Sequence, residues 1–169
     1  MLVFIFGLTA AAQTPSREYQ LKSVFLFNFT QFVEWPKESF STDEAPLVIG
    51  VLGDSPFGSF LEEVVAGEKV NGHPVIIRYC KTIDEITSCH ILFISNSASK
   101  MEEQALAVLK GRSTLTVSDT PGFLNDGGMV RFFTRDNKVK LQINHESSKA
   151  ANLTISSKLL KLAEIFTPR

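Results

Sequence analysis

The hydrophobic pattern changes period along this chain, and the change divides it into elements. Leu21, Val24, Phe25, Phe29 and Phe32 recur at helical spacing, with Phe27 and Val33 widening the stripe. Ser16 stands where a helix needs its N-cap, and Glu18 lies in the first turn, where a carboxylate suits the helix dipole. Pro36 ends this helix, because the residue before a proline avoids the α region. After a polar loop, Lys37 to Pro46, the apolar residues become continuous. LVIGVL at Leu47 to Leu52 and HILFI at His90 to Ile94 are unbroken runs, the mark of strands buried on both faces. His73 to Tyr79 and Thr114 to Val117 read as further strands. Phe57 to Val65, the short Thr82 to Ile86, and Ser99 to Leu109 read as helices between them.

Alternating strands and helices predict a three-layer α/β sandwich with a mostly parallel, Rossmann- or flavodoxin-like sheet. The rhythm then breaks. Met129 to Thr134 and Lys138 to Ile143 are strands separated only by Arg135, Asp136 and Asn137, a connection so short that the pair must be an antiparallel hairpin. Lys138, Lys140 and Gln142 alternate with Val139, Leu141 and Ile143, so this strand has one wet face and belongs near an edge. A last helix starts at Thr154 or Ser156 and buries Leu159, Leu160, Ala163 and Phe166.

Composition narrows the function. The chain has 169 residues and 44% hydrophobic content, which suits one core and excludes disorder. The net charge is -1 and no basic run occurs, which argues against a nucleic-acid partner. MLVFIFGLTAAA, Met1 to Ala12, is an apolar run ending in small residues, as in a secretory signal peptide. It is shorter than the roughly 20 apolar residues that cross a bilayer. The usual basic n-region is missing, and a buried N-terminal strand or helix is the other reading. The expected organisation is a signal peptide over 1–12, a linker over 13–18 and a single domain over 19–166, with the mature protein exported.

Candidate chemistry is sparse. Ligands of open α/β sheets bind at the C-terminal strand ends. Gly53, Asp54, Ser55, Ser95, Asn96 and Asp119 occupy those ends and could line a crevice, although such residues beside Pro56 and Pro121 are also ordinary turn and cap residues. Gly50, Gly53 and Gly58 do not form G-x-G-x-x-G, and there is no P-loop, no G-x-S-x-G elbow and no H-E-x-x-H. His73 and His90 open strands at the opposite end and His145 follows one, which fits structural histidines. The expectation is therefore no catalytic residue, no metal and no cofactor. Cys80 and Cys89 form an even pair, which in an exported chain favours a disulfide; two separate, partly buried thiols are the other reading. Phe25, Phe27, Phe29, Phe32 and Trp35 are more aromatics than one stripe needs. Trp35 is either core or an exposed anchor for a partner.

Seven segments, taken in order, resemble the YfiR-like family: YQLKSVFLFNFTQFVEWP (Tyr19 to Pro36), VIGVLGDSPFG (Val48 to Gly58), CHILFIS (Cys89 to Ser95), LTVSD (Leu115 to Asp119), GGMVRFF (Gly127 to Phe133), LQIN (Leu141 to Asn144) and LTISSKLLKLAEI (Leu153 to Ile165). The resemblance implies a periplasmic, non-enzymatic regulator that represses an inner-membrane diguanylate cyclase by binding its periplasmic domain. Other members accompany other signalling proteins, so a sensor kinase is an alternative partner, and a homodimer is left open. Redox tuning through disulfides is also implied, although this chain keeps Cys89 without the two-disulfide set of the family's best-studied member. The competing reading is a periplasmic small-molecule sensing domain using the strand-end crevice. Export predicts that mass spectrometry of a periplasmic fraction finds the N-terminus at Gln13; intact Met1 on cytoplasmic protein would refute it.

Overall fold

The computed structural model describes residues 16–168; the expected signal peptide, 1–12, lies outside them. Helix α1 spans Arg17–Phe32, so residues 17 and 18 of the expected linker are helical. The Ser16 side chain caps it by accepting from the Tyr19 N–H. Val33–Glu34 forms a two-residue strand, β1, and the chain then makes a short 3-10 turn at Lys37–Ser39. The main sheet begins with β2 (Leu47–Leu52), followed by α2 (Phe60–Val65), β3 (Lys69–Val70), β4 (His73–Cys80) and β5 (Ile91–Ile94). A 3-10 turn at Asn96–Met101 leads into α3 (Glu102–Leu109) and β6 (Leu115–Ser118). The chain continues with β7 (Val130–Arg135), β8 (Lys138–Ile143), α4 (His145–Ala150), β9 (Thr154–Ile155), α5 (Ser157–Leu162) and β10 (Glu164–Ile165).

The eight-stranded sheet has the order β10-β8-β7-β6-β5-β2-β4-β3. All its pairs are parallel except β7 with β8 and β3 with β4. The central five strands, taken in chain order, run 2-1-3-4-5, the flavodoxin-like arrangement. β1 pairs antiparallel with β9 apart from the main sheet, tying the end of α1 to the segment before α5.

Strands buried on both faces explain the unbroken apolar runs. Leu47, Ile49, Val51, Ile91 and Phe93 point into one core with Leu26 and Phe29 of α1 and Leu61 of α2. Val48, Leu52, Leu92 and Ile94 point into the other, with Ala105 and Leu109 of α3. Three layers follow, as expected. β8 is second from the sheet edge, and its outer neighbour β10 covers only Gln142 and Ile143. The hairpin turn is two residues, Asp136 and Asn137, both at positive φ as a type I′ turn requires.

Several boundaries differ from the sequence reading. α2 starts at Phe60; Phe57 precedes it and is fully buried. The expected Ser99–Leu109 helix is a 3-10 turn that becomes α-helical at Glu102. α5 is capped by Ser156 and buries Leu159, but it stops at Leu162, and the chain then adds β10 to the sheet beside β8. Within the expected stripe Phe29 is buried and Phe25 and Phe32 pack against the core, but Leu21 and Val24 do not, and this is the largest correction. α1 instead buries Lys22, Ser23, Leu26, Phe29 and Thr30, leaving Leu21 43% and Val24 36% exposed. One residue is about 100° of helix, so the true inner face is rotated by roughly one position.

Gly128 packs against the fully buried ring of Phe123, where a Cβ would overlap ring atoms. Gly128→Ala should therefore destabilise the fold by about 1–3 kcal/mol, read as a lower urea midpoint at unchanged m-value.

Candidate functional site

Strand order reverses at β2, which has β4 on one side and β5 on the other, so the crevice typical of this fold opens beyond Gly53 and Ser95. Here the chain fills it. Gly53 has φ +91°, and a Cβ on it would lie 2.6 Å from Ser97 Oγ and 2.8 Å from Ala98 Cβ. Only glycine lets the 3-10 turn after β5 seat this closely. Ser97 Oγ accepts from the Asp54 N–H at 2.8 Å and donates to Ser95 Oγ at 3.3 Å. The Asp54 carboxylate takes an exposed ion pair with Lys81 at 2.6 Å. Ser55 Oγ accepts from the Phe57 N–H, a local turn contact.

The other half of the candidate set is closed by α1. Asp119, just past β6, has an 8% exposed side chain and pairs at 2.8 Å with the ammonium of Lys22, itself 2% exposed. Lys22 also meets Glu18 at 2.6 Å, one turn back. The Tyr19 hydroxyl donates to the same Asp119 oxygen at 2.8 Å, and burial, then Asp119, push this phenol well above the ordinary tyrosine range. Asn96 accepts from Thr120 Oγ1 at 3.3 Å. Beneath them Glu102 is buried and receives Ser118 Oγ at 3.4 Å; desolvation raises its carboxyl above the usual carboxylate range. The structure thus joins Gly53, Asp54 and Ser95 through Ser97, and joins Asp119 to α1. Sequence reasoning missed Lys22, Tyr19, Ser97 and Thr120. A lysine amid the apolar residues of α1 was the one readable signal, since a buried ammonium needs a carboxylate.

Trp35 is half-buried. Its indole N–H donates to the His90 carbonyl at 3.0 Å, and its ring meets the His90 imidazole edge-on at 6.0 Å. Cys80 and Cys89 are free, buried thiols, so the expected bridge is not formed here. Both line the α3-side core, and the Cys80 thiol donates to the Glu85 carbonyl at 3.4 Å. Desolvation pushes Cys89 up to about 12 and raises Cys80, which suppresses the thiolate that exchange chemistry needs.

A flavodoxin-like sheet whose ligand crevice is occupied by its own helix and turn defines the class: an α/β domain whose polar strand-end residues are spent on internal contacts. The chain belongs to the YfiR/HmsC-like family, whose model matches residues 19–164. None of the curated proteins compared matches it.

Lys22→Ala should cost about 3–5 kcal/mol in denaturant unfolding, because it strands a buried carboxylate. Lys22→Met combined with Asp119→Leu should recover most of that loss; equal loss in single and double variants would show that the pair's charge is not what matters.

Proposed function

We propose that this protein is a periplasmic, non-enzymatic regulator that docks on the periplasmic domain of an inner-membrane diguanylate cyclase and lowers its output of cyclic-di-GMP. Family membership supports this reading. The observation that carries it is the use made of α1. Its inner face fills the crevice where a substrate or ligand would sit, and its outer face turns Leu21 and Val24 to solvent one helical turn apart. Such a molecule has surface rather than a pocket to offer at its sheet's functional end. A repressor needs only to prefer the inactive state of its target. A preference of about 100-fold, or about 2.7 kcal/mol, moves a balanced equilibrium almost fully.

This reading moves the docking residues from Trp35, whose indole is already engaged by His90, to Leu21 and Val24. The described residues hold no helix long and apolar enough to cross a membrane. Deleting the gene should raise cyclic-di-GMP and surface attachment. Leu21→Glu with Val24→Glu should reproduce the deletion while leaving the circular dichroism spectrum and urea midpoint near wild type. Unchanged cyclic-di-GMP in the deletion strain, with a sensor kinase or no membrane protein co-purifying, would overturn the cyclase reading.

A further inference from the structure

The N-terminal ends of the strands are built differently. The loop Pro36 to Pro46 crosses them and is held from the main body by two imidazoles. His73 Nδ1 donates to the Ala45 carbonyl at 2.6 Å, and His90 Nε2 meets the Ser39 carbonyl at 3.1 Å. Among the described residues no other side-chain hydrogen bond ties Lys37 to Ala45 to the rest of the chain. The Phe40 ring stacks on His73 at 3.8 Å and 16°, and on His90 at 4.3 Å and 20°. Two rings cannot share one face at those distances, so Phe40 is clamped between them. The clamp is flanked by space. Cavities of about 460 and 440 Å³ border Ser39 and His90, and one of about 300 Å³ borders Trp35, Phe40 and His73.

The tautomer of His90 follows from its partners. The Val48 N–H donates to Nδ1 at 3.0 Å, so Nδ1 carries no proton, and the single proton of the neutral ring sits on Nε2, where it serves Ser39. A second proton can go only onto Nδ1, opposite a backbone N–H that cannot turn away. We propose that the Pro36–Pro46 loop is an acid-released latch, closed by neutral His90 and opened when His90 takes up a proton. The surroundings favour opening. His73, across Phe40, disfavours charge on His90; Arg78, Arg112 and the carboxylate of Glu38 border the cavities beside it, and the Cys89 thiol is uncharged. Desolvation, with a smaller effect from His73, outweighs the hydrogen bond to the Ser39 carbonyl, which favours the charged ring, and holds His90 below its ordinary 6.5. The sign is then fixed. The open loop binds the extra proton more readily than the closed one, so closure is fully favoured above 6.5 and weakens as pH falls through the lowered value.

Heteronuclear NMR of the imidazoles tests the premise on wild-type protein: at about pH 8 His90 should be the Nε2–H tautomer. Hydrogen exchange, corrected for its intrinsic pH dependence, should then show residues 37–45 losing protection by roughly tenfold or more between about pH 8 and about pH 5, while β5 and β6 keep theirs. Trp35, the only tryptophan in the chain, should report the same midpoint by fluorescence. His90→Asn should abolish the acid transition, and His145→Gln should leave it in place. The proposal is overturned by an Nδ1–H tautomer, by a loop whose protection does not change while His90 titrates, or by acid exposure that spreads equally to β5. Should His90→Asn fail to fold, the wild-type tautomer and exchange results decide alone.

Discussion

The Lys22–Asp119 ion pair fixes where α1 lies. An ammonium that is 2% exposed and a carboxylate that is 8% exposed can coexist in a core only in contact, because either alone would carry a desolvation penalty of several kcal/mol. Asp119 is held at the end of β6 by the sheet, so Lys22 must come to it, and α1 is thereby laid over the C-terminal strand ends. Glu18 adds a second carboxylate to the ammonium and Tyr19 a second donor to Asp119 Oδ2, while the buried Oδ1 is left without a hydrogen-bond partner. The rest of α1 follows as a rigid body. Leu26 and Phe29 drop into the core against Phe132, and Val33 starts the β1–β9 pair.

That placement sets what remains outside. A helix with apolar residues all round can bury only one side, and here the inward side includes three polar residues, Lys22, Ser23 and Thr30. Ser23 and Thr30 satisfy themselves on the carbonyls of Tyr19 and Phe27. Each polar residue turned inward displaces an apolar one outward, which is how Leu21 and Val24 reach solvent. The exposed pair is thus a consequence of the ion pair.

The strands were legible because burial on both faces leaves an uninterrupted apolar run, which no turn or surface helix imitates. The β7–β8 hairpin was legible because its wet face alternates. The β3–β4 hairpin was equally marked, by Asn71-Gly72 at positive φ between β-capable residues, but its first strand has only two residues and no pattern of its own. α4 escaped because HESSKA has no apolar stripe; it is held by the Asn144 cap and the buried Ser148. The face of α1 was misread for a related reason. Hydrophobic period places apolar residues, and it is blind to a lysine whose burial depends on a carboxylate 97 residues away. The six crevice residues were located correctly as strand ends, yet their occupancy by Ser97 and α1 is a tertiary fact without local signature.

The two ends of the sheet are fastened by opposite kinds of contact. At the C-terminal end an ammonium meets a carboxylate, groups that attract in their ordinary charged forms and need nothing added or removed. At the N-terminal end the fastening is a neutral imidazole that accepts from Val48 on one nitrogen and donates to Ser39 from the other. Charge strengthens the first contact, whereas in the second a proton on Nδ1 would set two donors face to face and unseat the ring from Val48, against the pull of the Ser39 carbonyl on Nε2. The difference in packing agrees with the difference in chemistry. Gly53 is pressed against Ala98 and Ser97 where the crevice is sealed, whereas Phe40 and His90 border open volume where the loop is clamped. A close-packed charged joint transmits strain without yielding. A clamp of uncharged rings beside cavities can release a single loop and leave the sheet beneath it intact.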